Sequence, residues 1–250
     1  MLTAFLCPAD HACAEVGIDE HLGQTIPPDI TLLDEEGRMV STGDIINGPT
    51  IFSLVYLGCR KMCPLLLRGE AEVISGLEQK PGQGYNLVSV SFDENDTPED
   101  ARKARGIYVE AAGLAPESDW KFLTGNKESI DRLTEALGFR FERTGDGFSH
   151  VAALIVVSPK ARIVRYIYGI KFLPFDIRMA LAEAERETVG LSAKGALLYC
   201  FRYDPEGKRY VFNILKVTGT VTILSAIILF AYLVRSSRKR REEQGGDADE

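Results

Sequence analysis

Between residues 50 and 187 this chain alternates short, almost wholly apolar runs with longer stretches of helical character, which restricts its fold more than any other feature. Thr50–Tyr56, Tyr85–Phe92, Trp120–Leu123, Val151–Val157 and Ile163–Tyr168 read as strands, the first of them buried. Helices are expected from Cys63 to about Gln79, from Pro98 to about Ala112, from Asn126 to Leu137 and from Pro174 to about Glu187. Pro64 and Pro98 suit a first helical turn, Thr97 or Asp96 can cap the second helix, and Gly138 ends the third. Leu32–Val40 reads as a small hairpin turning at Glu36-Gly37. The order β-α-β-α-β-α-β-β-α specifies a layered α/β domain with a mixed sheet.

The junction between the first strand and the first helix carries the chemistry. Tyr56-Leu-Gly-Cys59-Arg-Lys-Met-Cys63-Pro places two thiols where a strand hands over to a helix N-terminus. That end of a helix favours thiolate, and Arg60 and Lys61 add positive charge beside it. Two easily ionised sulfurs on one loop suit thiol–disulfide exchange or a soft metal such as Cu(I). The C-x-x-x-C spacing is one residue longer than the common redox C-x-x-C and adds weight to the metal. His150, at the entrance of the Val151 strand, can face a site on the sheet edge and add an imidazole, although a lone histidine is more often structural than a ligand. Two thiolates and one imidazole suit Cu(I), or Cu(II) with an added oxygen ligand.

The C-terminal part departs from globular composition. Val217–Val234 contains no charge, and with the residues before it a run of 212–234 reaches the ~20 residues of a membrane-spanning helix. A buried core helix would be the alternative, but nothing in the run supplies a polar face. Arg235, Arg238, Lys239, Arg240 and Arg241 follow at once, which puts the tail, 235–250, in the cytoplasm and the 15–190 domain outside it. Residues 191–211 are a juxtamembrane connector, in which Tyr199, Phe201, Tyr203 and Tyr210 suggest an interfacial aromatic belt and Cys200 a small buried hydrophobe. Residues 1–14 read as the remnant of a signal peptide or a disordered tail, so Cys7, His11 and Cys13 receive no role. The formal net charge of −7 argues against nucleic acid as a partner.

Thr50–Pro64, then Ser91-Phe-Asp93-Glu-Asn-Asp96-Thr97-Pro98-Glu99, Trp120–Gly125 and Phe148-Ser-His150 together resemble the Sco/SenC family, membrane-anchored copper chaperones for cytochrome c oxidase. The resemblance covers about residues 22–190 and implies a thioredoxin-like fold, a mixed sheet flanked by helices. It also implies copper, as Cu(I) or Cu(II), held by Cys59, Cys63 and His150, with Asp93 and Asp96 ordering the adjoining loop or supporting the ligands. Helix capping is the plainer role for Asp96. The implied partner is oxidase subunit II or another respiratory copper protein, reached from the periplasmic side of a bacterial-type cytoplasmic membrane. A chaperone of this kind need not be an enzyme.

Two features depart from the family: the anchor is C-terminal, and the C-x-x-x-C interior is the basic Arg-Lys-Met. The competing function is a membrane-anchored thiol–disulfide oxidoreductase that reduces the target's cysteines through Cys59 and Cys63 and does not need His150. No proline directly precedes the Val151 strand, where redox thioredoxins carry one, which favours the metal. A thiol peroxidase is weaker still, since nothing singles out one peroxidatic cysteine.

Overall fold

The computed structural model describes residues 16–145, 147–190, 201–204 and 209–212, together with Ser225 and Leu229. The chain falls into two compact units, Met1–Leu191 and Ser192–Glu250. In chain order the first contains β1 (Gly17–Ile18), β2 (Thr31–Leu33), β3 (Met39–Ser41), α1 (Thr42–Ile45), β4 (Thr50–Val55), α2 (Met62–Ser75), β5 (Asn86–Ser91), α3 (Pro98–Ala111), β6 (Trp120–Leu123), α4 (Lys127–Ala136), β7 (Phe139–Arg140), β8 (Glu142–Thr144), β9 (Gly147–Ser149), β10 (Ala153–Val157), β11 (Ile163–Tyr168) and α5 (Pro174–Glu185).

The five strands expected from the apolar runs form one sheet, in the order β11-β10-β4-β5-β6. β4, β5 and β6 are parallel, while β10 runs antiparallel to both β4 and β11. The sheet is therefore mixed, with a thioredoxin-like arrangement of flanking helices. Along β4, Ile51 and Val55 join one core cluster and Phe52 and Leu54 the other. Both faces of β4 are thus covered, which is why its sequence is apolar throughout rather than alternating. Burying each such side chain contributes about 1.5–3 kcal/mol. Gly69 lets α2 press on the chain after β11, because a Cβ there would stand 2.0 Å from the Ile170 carbonyl oxygen.

Helix boundaries follow capping chemistry. α3 starts at a capping box in which the Thr97 hydroxyl accepts from the Asp100 N–H and the Asp100 carboxylate accepts from the Thr97 N–H. α2 ends at Ser75 rather than near Gln79 because Lys80 Nζ donates to the carbonyls of Ile74, Ser75 and Leu77, at 3.2, 2.9 and 2.7 Å. One residue of α2 breaks the rule for cores. Glu70 is fully buried, and neither of its carboxyl oxygens has a hydrogen-bond partner. The Ser53 hydroxyl, which tempers its pKa, is committed to Ser89 at 2.8 Å, and Ser89 also accepts from Trp120 Nε1 at 3.0 Å. Burial pushes the Glu70 carboxyl up to about 8.

In the second unit β12 (Phe201–Asp204) and β13 (Arg209–Phe212) pair antiparallel, with Phe201 opposite Phe212 and Tyr203 opposite Tyr210. The connector expected over 191–211 therefore includes paired strands, and Phe212 ends a strand instead of opening a helix. The rest of the expected span lies outside the described residues, except Ser225 and Leu229, which are helical. So do residues 1–14, Tyr199, Cys200 and the 235–250 tail. Among the described residues no helix is long and apolar enough to cross a membrane.

Candidate metal centre

β10 begins where its antiparallel neighbour β4 ends, which sets His150, just ahead of β10, beside the loop that leaves β4. The His150 Nε2 stands 3.3 Å from Cys63 Sγ, across 87 residues of chain. The other ring nitrogen, Nδ1, lies 3.1 Å from the Val151 carbonyl oxygen. A carbonyl can only accept, so Nδ1 carries the proton and Nε2 turns a free lone pair toward the sulfur. Burial lowers the His150 pKa and keeps the ring neutral. Phe92, Tyr56 and Phe139 surround it, with ring centroids 5.1, 6.0 and 6.1 Å away.

The two cysteines are free thiols in unequal settings. Lys61, the residue at the N-cap of α2, offers no side-chain cap, and Cys59 Sγ takes that role by accepting from the Cys63 N–H at 3.4 Å. Burial pushes the Cys59 thiol up, but hydrogen bonds from the Tyr56 hydroxyl, the Cys63 and Lys61 backbone N–H groups and the Cys63 thiol outweigh it and hold its pKa below the ordinary value. Burial drives the Cys63 thiol strongly upward, and the nearby Cys59 charge adds to this. Cys59 is therefore the sulfur that ionises first. Hydrogen bonds, two of them from backbone N–H groups at the entrance of α2, lower Cys59 as a helix N-terminus is expected to, and Arg60 and Lys61 are exposed to water.

Asp93 and Asp96 brace this arrangement from the loop before α3. The Asp96 carboxylate accepts from the Leu57 N–H and from the Ser91 hydroxyl, both at 2.6 Å, and so ties the end of β5 to the thiol loop. Thr97 holds the helix cap, so Asp96 is not used there. Asp93 accepts from Arg143 at 3.3 Å, and the Arg143 guanidinium lies over the Phe148 ring, 4.4 Å from its centre. Asp93 thereby ties the same loop to the β8–β9 hairpin that leads to His150.

Three participants were not picked out in sequence. Tyr56 acts on Cys59 through its hydroxyl, which lowers the Cys59 pKa. It approaches Gly147 so closely that a Cβ there would meet it at 2.8 Å. Ser91 and Arg143 are the others. Only the position of Tyr56, at the end of a buried strand and three residues before Cys59, could have signalled it.

Cys63 and His150 are thus in contact, with Cys59 hydrogen-bonded to the same turn. Among the described residues no three His, Cys, Asp or Glu side chains stand together at metal-binding separations. A single metal can bridge atoms 3.3 Å apart, given bonds of about 2.0 Å to nitrogen and about 2.3 Å to sulfur, as zinc makes. The donor set, two sulfurs and an unprotonated imidazole nitrogen, suits a soft metal.

A family model described as SCO1/SenC matches residues 19–182. A protein of Stutzerimonas stutzeri named "Putative copper-binding protein" is 27% identical over 146 residues, which cover 56% of this chain and 68% of that protein. A solved structure from Aquifex aeolicus VF5, called a "putative electron transfer protein", is 32% identical with a TM-score of 0.61, over 66% of this chain and 95% of its own. The copper-bound structure of Arabidopsis thaliana ScoI shares the fold, at 21% identity and a TM-score of 0.52, over 66% of this chain and 99% of its own.

Proposed function

The chain belongs to the SCO1/SenC family, and from that premise we propose that it is a membrane-tethered copper chaperone serving assembly of the binuclear copper site in cytochrome c oxidase subunit II or another respiratory copper protein. Copper is its cargo, carried by Cys59, Cys63 and His150. The observation that carries this reading is the contact between Cys63 Sγ and the proton-free Nε2 of His150, a contact that dithiol redox chemistry does not require. Copper-binding relatives add support by their names.

The chain's own groups prepare each step. Cys59 loses its proton first and gives the incoming ion a thiolate. Cys63 yields its proton only when a cation arrives to offset the charge, so binding releases protons. His150 needs no deprotonation, because Val151 fixes its tautomer. Release to a target follows by ligand exchange, in which the target's cysteines and histidines replace these three one at a time.

Copper titration of the full chain tests the assignment. His150→Ala should weaken Cu(II) binding strongly and leave the dithiol reactive, while Cys59→Ser or Cys63→Ser should abolish tight binding. Equal stoichiometry and affinity in wild type and His150→Ala would overturn it. A thiol–disulfide oxidoreductase is the second reading, favoured by the unequal cysteines, since one ionised and one protonated thiol suit exchange. It predicts undiminished disulfide reduction by His150→Ala.

The tether and its orientation are part of the proposal. They rest on the charge-free Val217–Val234 run and the basic cluster after it. The 15–190 domain would lie on the periplasmic side, with 235–250 in the cytoplasm. After mild reduction of intact cells, a membrane-impermeant thiol reagent should label Cys59. Labelling of the two cysteines only after lysis would overturn the topology.

A further inference from the structure

We propose that the exposed face of α2, with the loop that leads into it, docks an acidic segment with apolar side chains on the protein that exchanges copper with this chain. This rests on the chaperone reading for the identity of the partner, and on the surface itself for the partner's chemistry. Lys61, Leu65 and Arg68 recur at i, i+4 and i+7, the spacing of one helix face, with Met62 adjoining. Met62 is 44% and Leu65 48% exposed, an unusual pair at the mouth of a buried site. Arg60, Lys61 and Arg68 ring them, all exposed and, among the described residues, none in an ion pair. Lys103 and Lys127 instead hold Glu99 at 2.8 Å and Asp131 at 2.6 Å, and the acidic residue that follows on the same α2 face is Glu72, one turn beyond Arg68. Lys171 adds a fourth unpaired cation, its backbone lying where α2 meets the post-β11 chain at Gly69.

This local positive charge stands against a chain whose formal net charge is −7. On the other side of the thiol loop Arg143 stands 3.3 and 3.6 Å from Asp93 and Glu94 and Lys103 holds Glu99, while Asp96 and Asp100, among the described residues, are in no ion pair. Of the two sides of the thiol loop, the α2 side is therefore the positive one. Cys59 and Cys63 are only 9% and 2% exposed, and the exposed residues next to them in the chain are Gly58, Arg60, Lys61 and Met62. An acidic partner is drawn toward that stretch and a basic one repelled, while Met62 and Leu65 offer a soft apolar centre to desolvate.

The test uses the copper-free full chain, isotopically labelled, and two short cysteine-free peptides. One alternates Glu with Leu and Phe, and the other carries Lys at each Glu position. The acidic peptide should shift the amides of residues 60–68 and 171, bind about tenfold more tightly than the basic one, and lose about tenfold in affinity between low salt and about 0.15 M. The Lys61→Glu/Arg68→Glu variant should reverse the preference. Equal binding of the two peptides, shifts centred elsewhere, or an unchanged preference in the variant would overturn the docking surface. Copper stoichiometry measured on the same wild-type sample judges the chaperone reading separately, since no peptide result depends on metal.

Discussion

Glu70 should make this protein lose stability as pH rises. Its carboxyl is pushed from an ordinary 4.5 up to about 8 by full burial, with neither oxygen hydrogen-bonded. Between those values the native state holds a proton that the unfolded chain has released, so stability falls with rising pH. The contribution is fully present below about 4.5 and lost by about 8. At about 1.4 kcal/mol for each unit, the shift corresponds to a loss on the order of 5 kcal/mol, an appreciable part of a domain's total. Glu70→Gln keeps the shape and removes the titration. Urea unfolding of both proteins at intervals from pH 5 to 9, followed by the fluorescence of Trp120, isolates the effect. Trp120 is the only tryptophan in the chain and donates to Ser89 in the same buried cluster. Cys59 and His150 titrate in both proteins and cancel in the difference. The difference should grow in favour of Glu70→Gln by up to about 1.4 kcal/mol per pH unit and flatten above pH 8. A difference that stays level from pH 5 to 9 would refute the argument.

Asp96→Ala should cost about 1–3 kcal/mol and weaken copper binding, because the Leu57 N–H and Ser91 hydroxyl lose their acceptor; denaturant unfolding and copper titration check this. Gly69→Ala should destabilise by about 1–3 kcal/mol or more, since its Cβ would collide with the Ile170 carbonyl; the unfolding midpoint reads it. Iodoacetamide at neutral pH should modify Cys59 well before Cys63, and Tyr56→Phe should slow that reaction; mass spectrometry of timed samples decides.

The central sheet was legible because its strands are buried on both faces and leave continuous apolar runs, as in Ile51–Val55. Helices with caps were equally readable, though α2 stopped early once Lys80 folded back on it. The β8–β9 hairpin was not: Glu142–Thr144 is exposed throughout and carries no apolar period. β1 and β7 pair over two residues each, too few to pattern a sequence. At the site, Cys59, Cys63 and His150 stood out by residue type and by their order along the chain. The roles of Ser91, Arg143 and Tyr56 depend on contacts made only after folding, as when Arg143 reaches Asp93 across 50 residues. Asp96 could have been a cap or a brace, and only the Thr97–Asp100 box settled which. Arg60 and Lys61 were read as positive, and both are exposed to water.

On the chaperone reading, the antiparallel seating of β10 on β4 makes metal binding a gauge of correct assembly. Leu154 faces Ser53 and Val157 faces Thr50 in that pairing. A slip of one residue would carry His150 about 3.4 Å along the strand and turn β10 over. A chain folded that way would keep both thiols and much of its secondary structure, yet the imidazole would miss them. Cargo would then be retained only by molecules whose strands are in step, and a misassembled copy would arrive at its target empty.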